Sequence, residues 1–266
     1  MKSTLAIDWQ GINLSVSIEY PTSYFDNDMK NALFPVIIIC HGFIGSKVGV
    51  NRLFVKASKE LTLKNYIIVR FDYLGCGESE GEYGNNTMHD MIHQTKQVIS
   101  LVKKLERTDS TNLTLIGHSL GGAVALLTAI KEQSVKKLIL WSAVGNPFLD
   151  IMNIIKKRVT DLDYHDTFDY QGFLLKKDFL LSLKEYEPLK WSFNYTGDVL
   201  VIHGDEDEEI SVHYSTQYEL AFHSRQTGAM KKHIISGADH TYSSHSTYNQ
   251  LIQTTIDWME SYKQTS

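Results

Sequence analysis

The stretch Leu113-Thr-Leu-Ile-Gly-His-Ser-Leu-Gly-Gly-Ala-Val-Ala-Leu126 joins an apolar, strand-like run to a run of small residues typical of a helix. Between the two lies a Gly-x-Ser-x-Gly match centred on Ser119, a motif that places a serine on a sharp turn from strand to helix. Such a turn strains the serine backbone, and Gly117 and Gly121 leave room for the neighbouring backbone. The hydroxyl is then expected at the helix N-terminus, where free N–H groups stabilise an oxyanion. The competing interpretation is a glycine-rich turn with a capping serine.

A nucleophilic serine needs a base within hydrogen-bonding reach and an acid that orients this base. His240, in Gly237-Ala-Asp-His240, follows the last predicted strand and is the best placed of the eleven histidines. The acidic segment His203-Gly-Asp-Glu-Asp-Glu-Glu-Ile210 directly follows another apolar strand and offers Asp207 and Asp205. Asp207 is favoured because a carboxylate several residues beyond the strand reaches further over the sheet. Asp205, next to a glycine, suits a role in the turn.

Apolar, β-branched runs alternate with segments of helical periodicity along most of the chain, which predicts an α/β fold with a mostly parallel central sheet flanked by helices. The first two strands read as an antiparallel hairpin at one sheet edge, turning through Gln10-Gly11. All the motifs named above follow strand ends, where ligands of such sheets bind. The predicted strands are 4–9, 12–19, 35–40, 66–71, 113–116, 137–141, 199–202 and 233–235, and the predicted helices are 52–63, 88–105, 120–131, 213–223 and 246–262.

One interval breaks this alternation and predicts an inserted cap at 146–196, within a core made of 1–145 and 197–266. The interval is rich in aromatic residues, which either line an apolar substrate pocket beneath a lid or form the core of a satellite subdomain. These residues are Phe148, Tyr164, Phe168, Tyr170, Phe173, Phe179, Tyr186, Trp191, Phe193 and Tyr195.

Composition excludes several function classes. The formal net charge of −5, without a clustered cationic stretch, argues against a nucleic-acid partner. No apolar leader and no membrane-spanning run is found. Two cysteines, Cys40 and Cys76, do not make a disulfide framework; they read as buried small side chains, and a cytoplasmic protein is expected. His89 and His93 are four residues apart, but Asp90 replaces the glutamate of a zinc-protease helix, so neither a metal nor a cofactor is expected.

Together these motifs resemble those of the α/β-hydrolase-fold serine hydrolases, over nearly the whole chain and in the serine, acid, histidine order of that family. Within the superfamily the chain is most similar to bacterial cinnamoyl and feruloyl esterases, with monoacylglycerol lipases as more distant relatives. The motifs that carry the resemblance are His41-Gly-Phe-Ile-Gly-Ser-Lys47, Phe71-Asp-Tyr-Leu-Gly-Cys-Gly-Glu-Ser-Glu-Gly81, Gly117-His-Ser-Leu-Gly121, His203-Gly-Asp-Glu-Asp207 and Gly237-Ala-Asp-His240.

The resemblance implies Ser119 as the nucleophile, His240 as the general base and then acid, and Asp207 as the residue that orients the histidine. It also implies an oxyanion hole made by the backbone N–H groups of Phe43 and Leu120. The expected function is therefore a serine carboxylesterase acting, through an acyl-enzyme, on small-molecule esters of small apolar or aromatic acids, hydroxycinnamoyl esters included. The alternatives are a monoacylglycerol-lipase-like or other acyl hydrolase or transferase, and a non-catalytic ligand-binding protein. Homodimerisation is left open by the sequence.

Overall fold

The computed structural model describes residues 1–159 and 166–261. Eight strands form the central sheet in the order β1-β2-β4-β3-β5-β6-β9-β10, and β7 pairs with β8 in a separate hairpin. The strands are β1 Lys2–Trp9, β2 Ile12–Glu19, β3 Phe34–Cys40, β4 Ile67–Phe71, β5 Thr108–His118, β6 Val135–Trp141, β7 Thr167–Tyr170, β8 Phe173–Lys176, β9 Asp198–Gly204 and β10 Met230–Ile235.

The sheet is parallel from β4 to β10, and the β1/β2 hairpin extends it antiparallel at one edge, as predicted. Gln10 and Gly11 have φ values of 55° and 84°, the pair of positive φ values that a type I′ hairpin turn requires. The strand β5 begins at Thr108 rather than at residue 113. Its first five residues are polar, so the apolar run in the sequence marks only its second half.

Helices cover both faces of the sheet. Along β3, Val36 and Ile38 pack into one core and Ile37 and Ile39 into the other, because successive side chains of a strand point to opposite faces. A strand buried on both faces therefore reads as an unbroken apolar run. The helices are α1 Leu53–Thr62, α2 Met88–Val102, α3 Leu120–Lys131, α4 Pro147–Lys156, α5 Lys177–Leu183, α6 Pro188–Trp191, α7 His213–His223 and α8 His245–Ser261.

The interval between β6 and β9 contains α4, the β7/β8 hairpin, α5 and α6. Tyr164 lies outside the described residues. Most of the other aromatic side chains of this interval pack onto the core of the main sheet rather than forming a separate one; Phe179, Tyr170 and Tyr195 are buried in it. None of the helices in the described ranges is long and apolar enough to cross a membrane.

Candidate active site

Ser119 lies on the tight turn between β5 and α3. Its φ of 57° and ψ of −126° are strained for a residue with a Cβ atom. The turn is held by its backbone, since the N–H of Ser119 donates to the carbonyl of Trp141 at 3.0 Å and its carbonyl accepts from Val144 at 3.2 Å. A Cβ at Gly117 would lie 2.3 Å from the Gly121 carbonyl oxygen, which is why a glycine is needed here. The serine is only 5% exposed.

The carboxylate of Asp207 contacts His240, with Oδ2 lying 2.8 Å from Nδ1. The Asp207 side chain is fully buried and also accepts backbone N–H groups of Glu209 and Ile210 at 2.9 and 2.8 Å. His203 Nε2 lies 3.1 Å from the same oxygen that faces His240. Burial alone would raise the pKa of Asp207, but hydrogen bonds from His203 and His240 outweigh it and hold the pKa far below its usual range. The carboxylate is thus an anion beside the imidazole.

Asp205, the other candidate aspartate of this loop, has a different role. Asp205 Oδ1 accepts the backbone N–H of Gly237 at 2.6 Å and so ties the β9 loop to the loop that carries His240. Of the two candidates that the sequence offered, the structure brings Asp207 to the histidine and places Asp205 in the turn.

The loop that follows β3 lies against the serine. A Cβ on Gly42 would come within 2.9 Å of the Ser119 Cβ, so Gly42 allows close approach of the two backbones. Within the described ranges no backbone acceptor is found for the N–H of Phe43. Leu120 is the first residue of α3, where an N–H has no acceptor within the helix. Phe43 follows Gly42, which lies against Ser119, and Leu120 follows Ser119 itself, so both predicted oxyanion donors are close to the serine in the fold.

A buried charged cluster, which sequence analysis did not single out, anchors this loop. The Lys47 backbone N–H donates to Asp72 Oδ1 at 2.6 Å, its ammonium pairs with the other Asp72 oxygen, and Arg70 donates to its carbonyl. His41 is fixed as well, because Tyr73 N–H donates to its Nε2 at 3.1 Å. The sequence gives only a partial signal, since Asp72 directly follows the last residue of β4 whereas Lys47 lies seven residues beyond β3.

The model of the alpha/beta hydrolase fold family matches residues 35–171, which is more than half of the chain. The protein belongs to the alpha/beta hydrolase fold family. The matched residues include the tight turn that carries Ser119, and Asp207 and His240 come after them in the chain.

Curated relatives of this alpha/beta hydrolase include an uncharacterised 31.7 kDa Escherichia coli protein from the traX-finO intergenic region, 34% identical over 109 residues. That alignment covers 41% of the chain and 37% of the relative. The Gallus gallus lysophosphatidylserine lipase ABHD12 is 28% identical over 206 residues, covering 74% of the chain and 50% of the lipase. The chain thus spans half or less of the length of these relatives.

Solved structures agree with the fold over almost the whole chain. Est1E from Butyrivibrio proteoclasticus, with ferulic acid bound, superposes with a TM-score of 0.82 at 24% identity and covers 97% of this chain and 98% of its own. The mouse alpha/beta hydrolase domain-containing protein 10 gives a TM-score of 0.74 at 19% identity over 98% of this chain and 99% of its own. At these identities the likeness establishes the fold.

His118, next to Ser119 in the chain, connects the turn that carries the serine to the loop that carries His240. Its Nε2 lies 2.8 Å from the backbone carbonyl of His240, and the two rings are 4.8 Å apart. Burial, and then the nearby His240, lower the pKa of His118 to about 3. The neutral ring therefore carries its proton on Nε2 and donates it to that carbonyl.

A cavity of about 300 Å³ opens onto Ser119 and His240. The apolar part of its wall comes chiefly from the segment 1–145, through Phe43, Ile44, Leu53 and Phe54. Among the described aromatic residues of 146–196, only Tyr170 lines it. Phe179 does not line the cavity but packs behind its wall, since its ring stacks on that of Phe43 with the centroids 5.9 Å apart.

The other candidate reactive groups lie apart from this site. The rings of His89 and His93 are 4.3 Å apart on α2, and no group of three or more metal-ligating side chains occurs among residues 1–159 and 166–261. Cys40 and Cys76 are buried free thiols. Burial raises the pKa of Cys40 to about 12, so it remains protonated at neutral pH.

Two buried histidines are expected to make the stability of this protein depend on pH. Burial lowers the pKa of His41 to about 4 and that of His118 to about 3, whereas an unfolded histidine titrates near pH 6.5. Below about pH 6.5 the unfolded chain therefore binds more protons than the folded one, and the free energy of unfolding falls. For His118 we expect a loss of about 2 kcal/mol between pH 6.5 and 4.5. Urea denaturation at several pH values measures it.

The matched variant is His118→Gln, because a glutamine amide can still donate to the His240 carbonyl but does not titrate. We expect its unfolding free energy to depend less on pH than that of the wild type. An exposed histidine changed in the same way, His223→Gln, is the control. Equal pH dependence in the wild type and His118→Gln would contradict the assignment of His118 as a buried neutral ring.

Proposed function

We propose that this protein is a serine hydrolase that cleaves carboxylic esters through an acyl-enzyme. The observation that carries the proposal is the 2.8 Å contact between buried Asp207 and His240, beside a cavity that also opens onto the strained Ser119. A buried anion, an imidazole and a serine at a helix N-terminus in one place are the parts of a nucleophilic site.

In this mechanism the Ser119 hydroxyl attacks the ester carbonyl carbon while His240 takes its proton. Asp207 holds the imidazole with its Nδ1–H toward the carboxylate and stabilises the imidazolium. The N–H groups of Phe43 and Leu120 bind the negative carbonyl oxygen of the tetrahedral intermediate. His240 then protonates the leaving alcohol, and water repeats the sequence to release the acid and restore the serine.

The volume and lining of the cavity favour esters of small apolar or aromatic acids as substrates. Its 300 Å³ and the wall of Phe43, Leu53 and Phe54 suit a short chain or a single ring. The similarity to Est1E, solved with ferulic acid, favours hydroxycinnamoyl esters among these. We propose that residues 146–196 act as a cap, since Ile154 and Tyr170 from this segment lie on the cavity wall. Two buried, unbridged thiols agree with a cytoplasmic site of action.

A lipase-like activity is the second candidate, because the lysophosphatidylserine lipase aligns over 74% of the chain. Substrate chain length separates the two. We expect higher kcat/KM for methyl ferulate and p-nitrophenyl butyrate than for p-nitrophenyl palmitate. Preference for palmitate would overturn the small-acyl proposal in favour of the lipase.

A fluorophosphonate probe tests for an activated serine without knowledge of the substrate. We expect covalent labelling confined to Ser119, located by mass spectrometry of the digested protein. Labelling depends on the nucleophile and the base rather than on the acyl group. Failure of Ser119 to react would refute the hydrolase proposal and favour a ligand-binding role.

A further inference from the structure

Part of the cavity wall carries charge rather than apolar surface. Lys157 and Arg158, directly after α4, line the cavity together with Glu209 from the loop after β9. Within the described ranges neither cation lies within ion-pair distance of a carboxylate. No carboxylate among residues 1–159 and 166–261 neutralises their positive charges by direct pairing, and they share a wall with the same serine and histidine.

Both cations are held in place by neutral oxygen atoms. Lys157 Nζ donates to the backbone carbonyl of Glu208 at 2.9 Å. Arg158 Nε donates to the side-chain oxygen of Gln171 at 3.1 Å, in the amide orientation that satisfies both groups. Gln171 also lines the cavity. Contacts of this kind position a cation while leaving its charge for a ligand.

Position on the helix does not by itself account for these two residues. Cations at a helix C-terminus complement the helix dipole, and Lys156 already meets that requirement as the last residue of α4. Lys156 is exposed and is not part of the cavity wall, whereas the next two residues are. The difference between neighbours of equal charge provides a control within the chain.

The other titratable groups facing the cavity offset this charge only in part. His41 and His118 are neutral at pH 7, because burial lowers their pKa values to about 4 and 3. Glu209 contributes one negative charge against two positive ones. The wall that includes Val50, Leu53 and Phe54 is apolar. The cavity therefore offers apolar surface and a net positive surface to one ligand.

We propose that Lys157 and Arg158 form an anion subsite and that the preferred ester carries a carboxylate or phosphate besides its apolar part. This rests on the proposed esterase function and specifies its substrate class. The cations attract the anionic substrate, and Glu209 opposes it. Because the two cations are exposed to water, each contributes a few-fold preference rather than a requirement.

Matched substrates that differ in one charged group test the subsite. On the acyl side, p-nitrophenyl hydrogen adipate is compared with p-nitrophenyl hexanoate. On the alcohol side, hexanoylglycerol phosphate is compared with hexanoylglycerol. The readout is the ratio of kcat/KM for the charged to the neutral ester, which cancels general effects on folding or catalysis. The pair whose ratio responds locates the anion on the acyl or on the alcohol side.

We expect Lys157→Gln and Arg158→Gln each to lower the ratio about three- to fivefold in one pair, and the double variant about tenfold. Glu209→Gln is expected to raise the same ratio about threefold, because it removes the opposing charge. Lys156→Gln is the control and should leave the ratio unchanged. Added NaCl should lower the wild-type ratio, since exposed charges are screened.

Ratios that respond to Lys157→Gln and Arg158→Gln no more than to Lys156→Gln, in both pairs, would overturn the anion subsite. If the neutral esters are still hydrolysed in that case, the esterase proposal stands. Absence of hydrolysis of all four esters, together with absence of phosphonate labelling, would overturn both proposals.

Discussion

Changing Ser119 to alanine is expected to lower ester turnover by at least about four orders of magnitude, to the level left by binding and the oxyanion hole. The reason is that the acyl-enzyme forms on the Ser119 oxygen, and water activated by His240 cannot reproduce a nucleophile held in place. Initial rates with p-nitrophenyl butyrate, measured against buffer alone, give the residual activity.

The fold should survive this change. Alanine keeps the Cβ, so it is strained no more than serine at φ 57°, and the backbone hydrogen bonds to Trp141 and Val144 do not involve the hydroxyl. We expect a Tm within a few degrees of the wild-type value. Ser46, the other serine on the cavity wall, provides the matched control Ser46→Ala. Near-normal turnover in Ser119→Ala, or its loss in Ser46→Ala alone, would refute the assignment of the nucleophile.

The fold was predictable because its central strands are buried on both faces. Such strands appear as unbroken apolar runs, as in Pro35-Val-Ile-Ile-Ile-Cys40, and short intervening helices force parallel pairing. Parallel pairing puts the carboxyl ends of all the parallel strands at the same edge of the sheet. The motifs around Ser119, Asp207 and His240 each follow such an end, so their meeting in space could be inferred from their order along the chain alone.

Three features could not be read from the sequence, because each depends on pairing between distant segments. The contact between Lys47 and Asp72 joins two residues that are 25 positions apart, and no pattern in either loop identifies the residue that it contacts. The aromatic composition of 146–196 did not say where the rings would go, and Phe179 packs into the core instead of the cavity. The hydrogen bond of His118 is of the same kind, because its acceptor, the His240 carbonyl, is 122 residues away.

The sequence favoured Asp207 over Asp205, and the 2.8 Å contact of Asp207 with His240 agrees with that choice. This contact gives the second large prediction. Asp207→Asn is expected to lower kcat by about three to four orders of magnitude. An asparagine has no charge to stabilise the imidazolium, and its amide can donate to Nδ1 and favour the wrong tautomer of His240. Because Asp207 also accepts backbone N–H groups of Glu209 and Ile210, some loss of stability is expected as well, and kcat is compared at a temperature where both proteins are folded.

Asp205→Asn is the matched control, since it makes the same change two residues earlier on the same loop. Asparagine retains a side-chain oxygen that can accept the Gly237 N–H, so turnover should change by no more than a few-fold. The two variants separate an orienting carboxylate from a turn-forming one, because both remove one negative charge from this acidic loop. If Asp205→Asn abolished turnover while Asp207→Asn did not, the 2.8 Å contact with His240 would be structural, and the orienting acid would have to be assigned elsewhere.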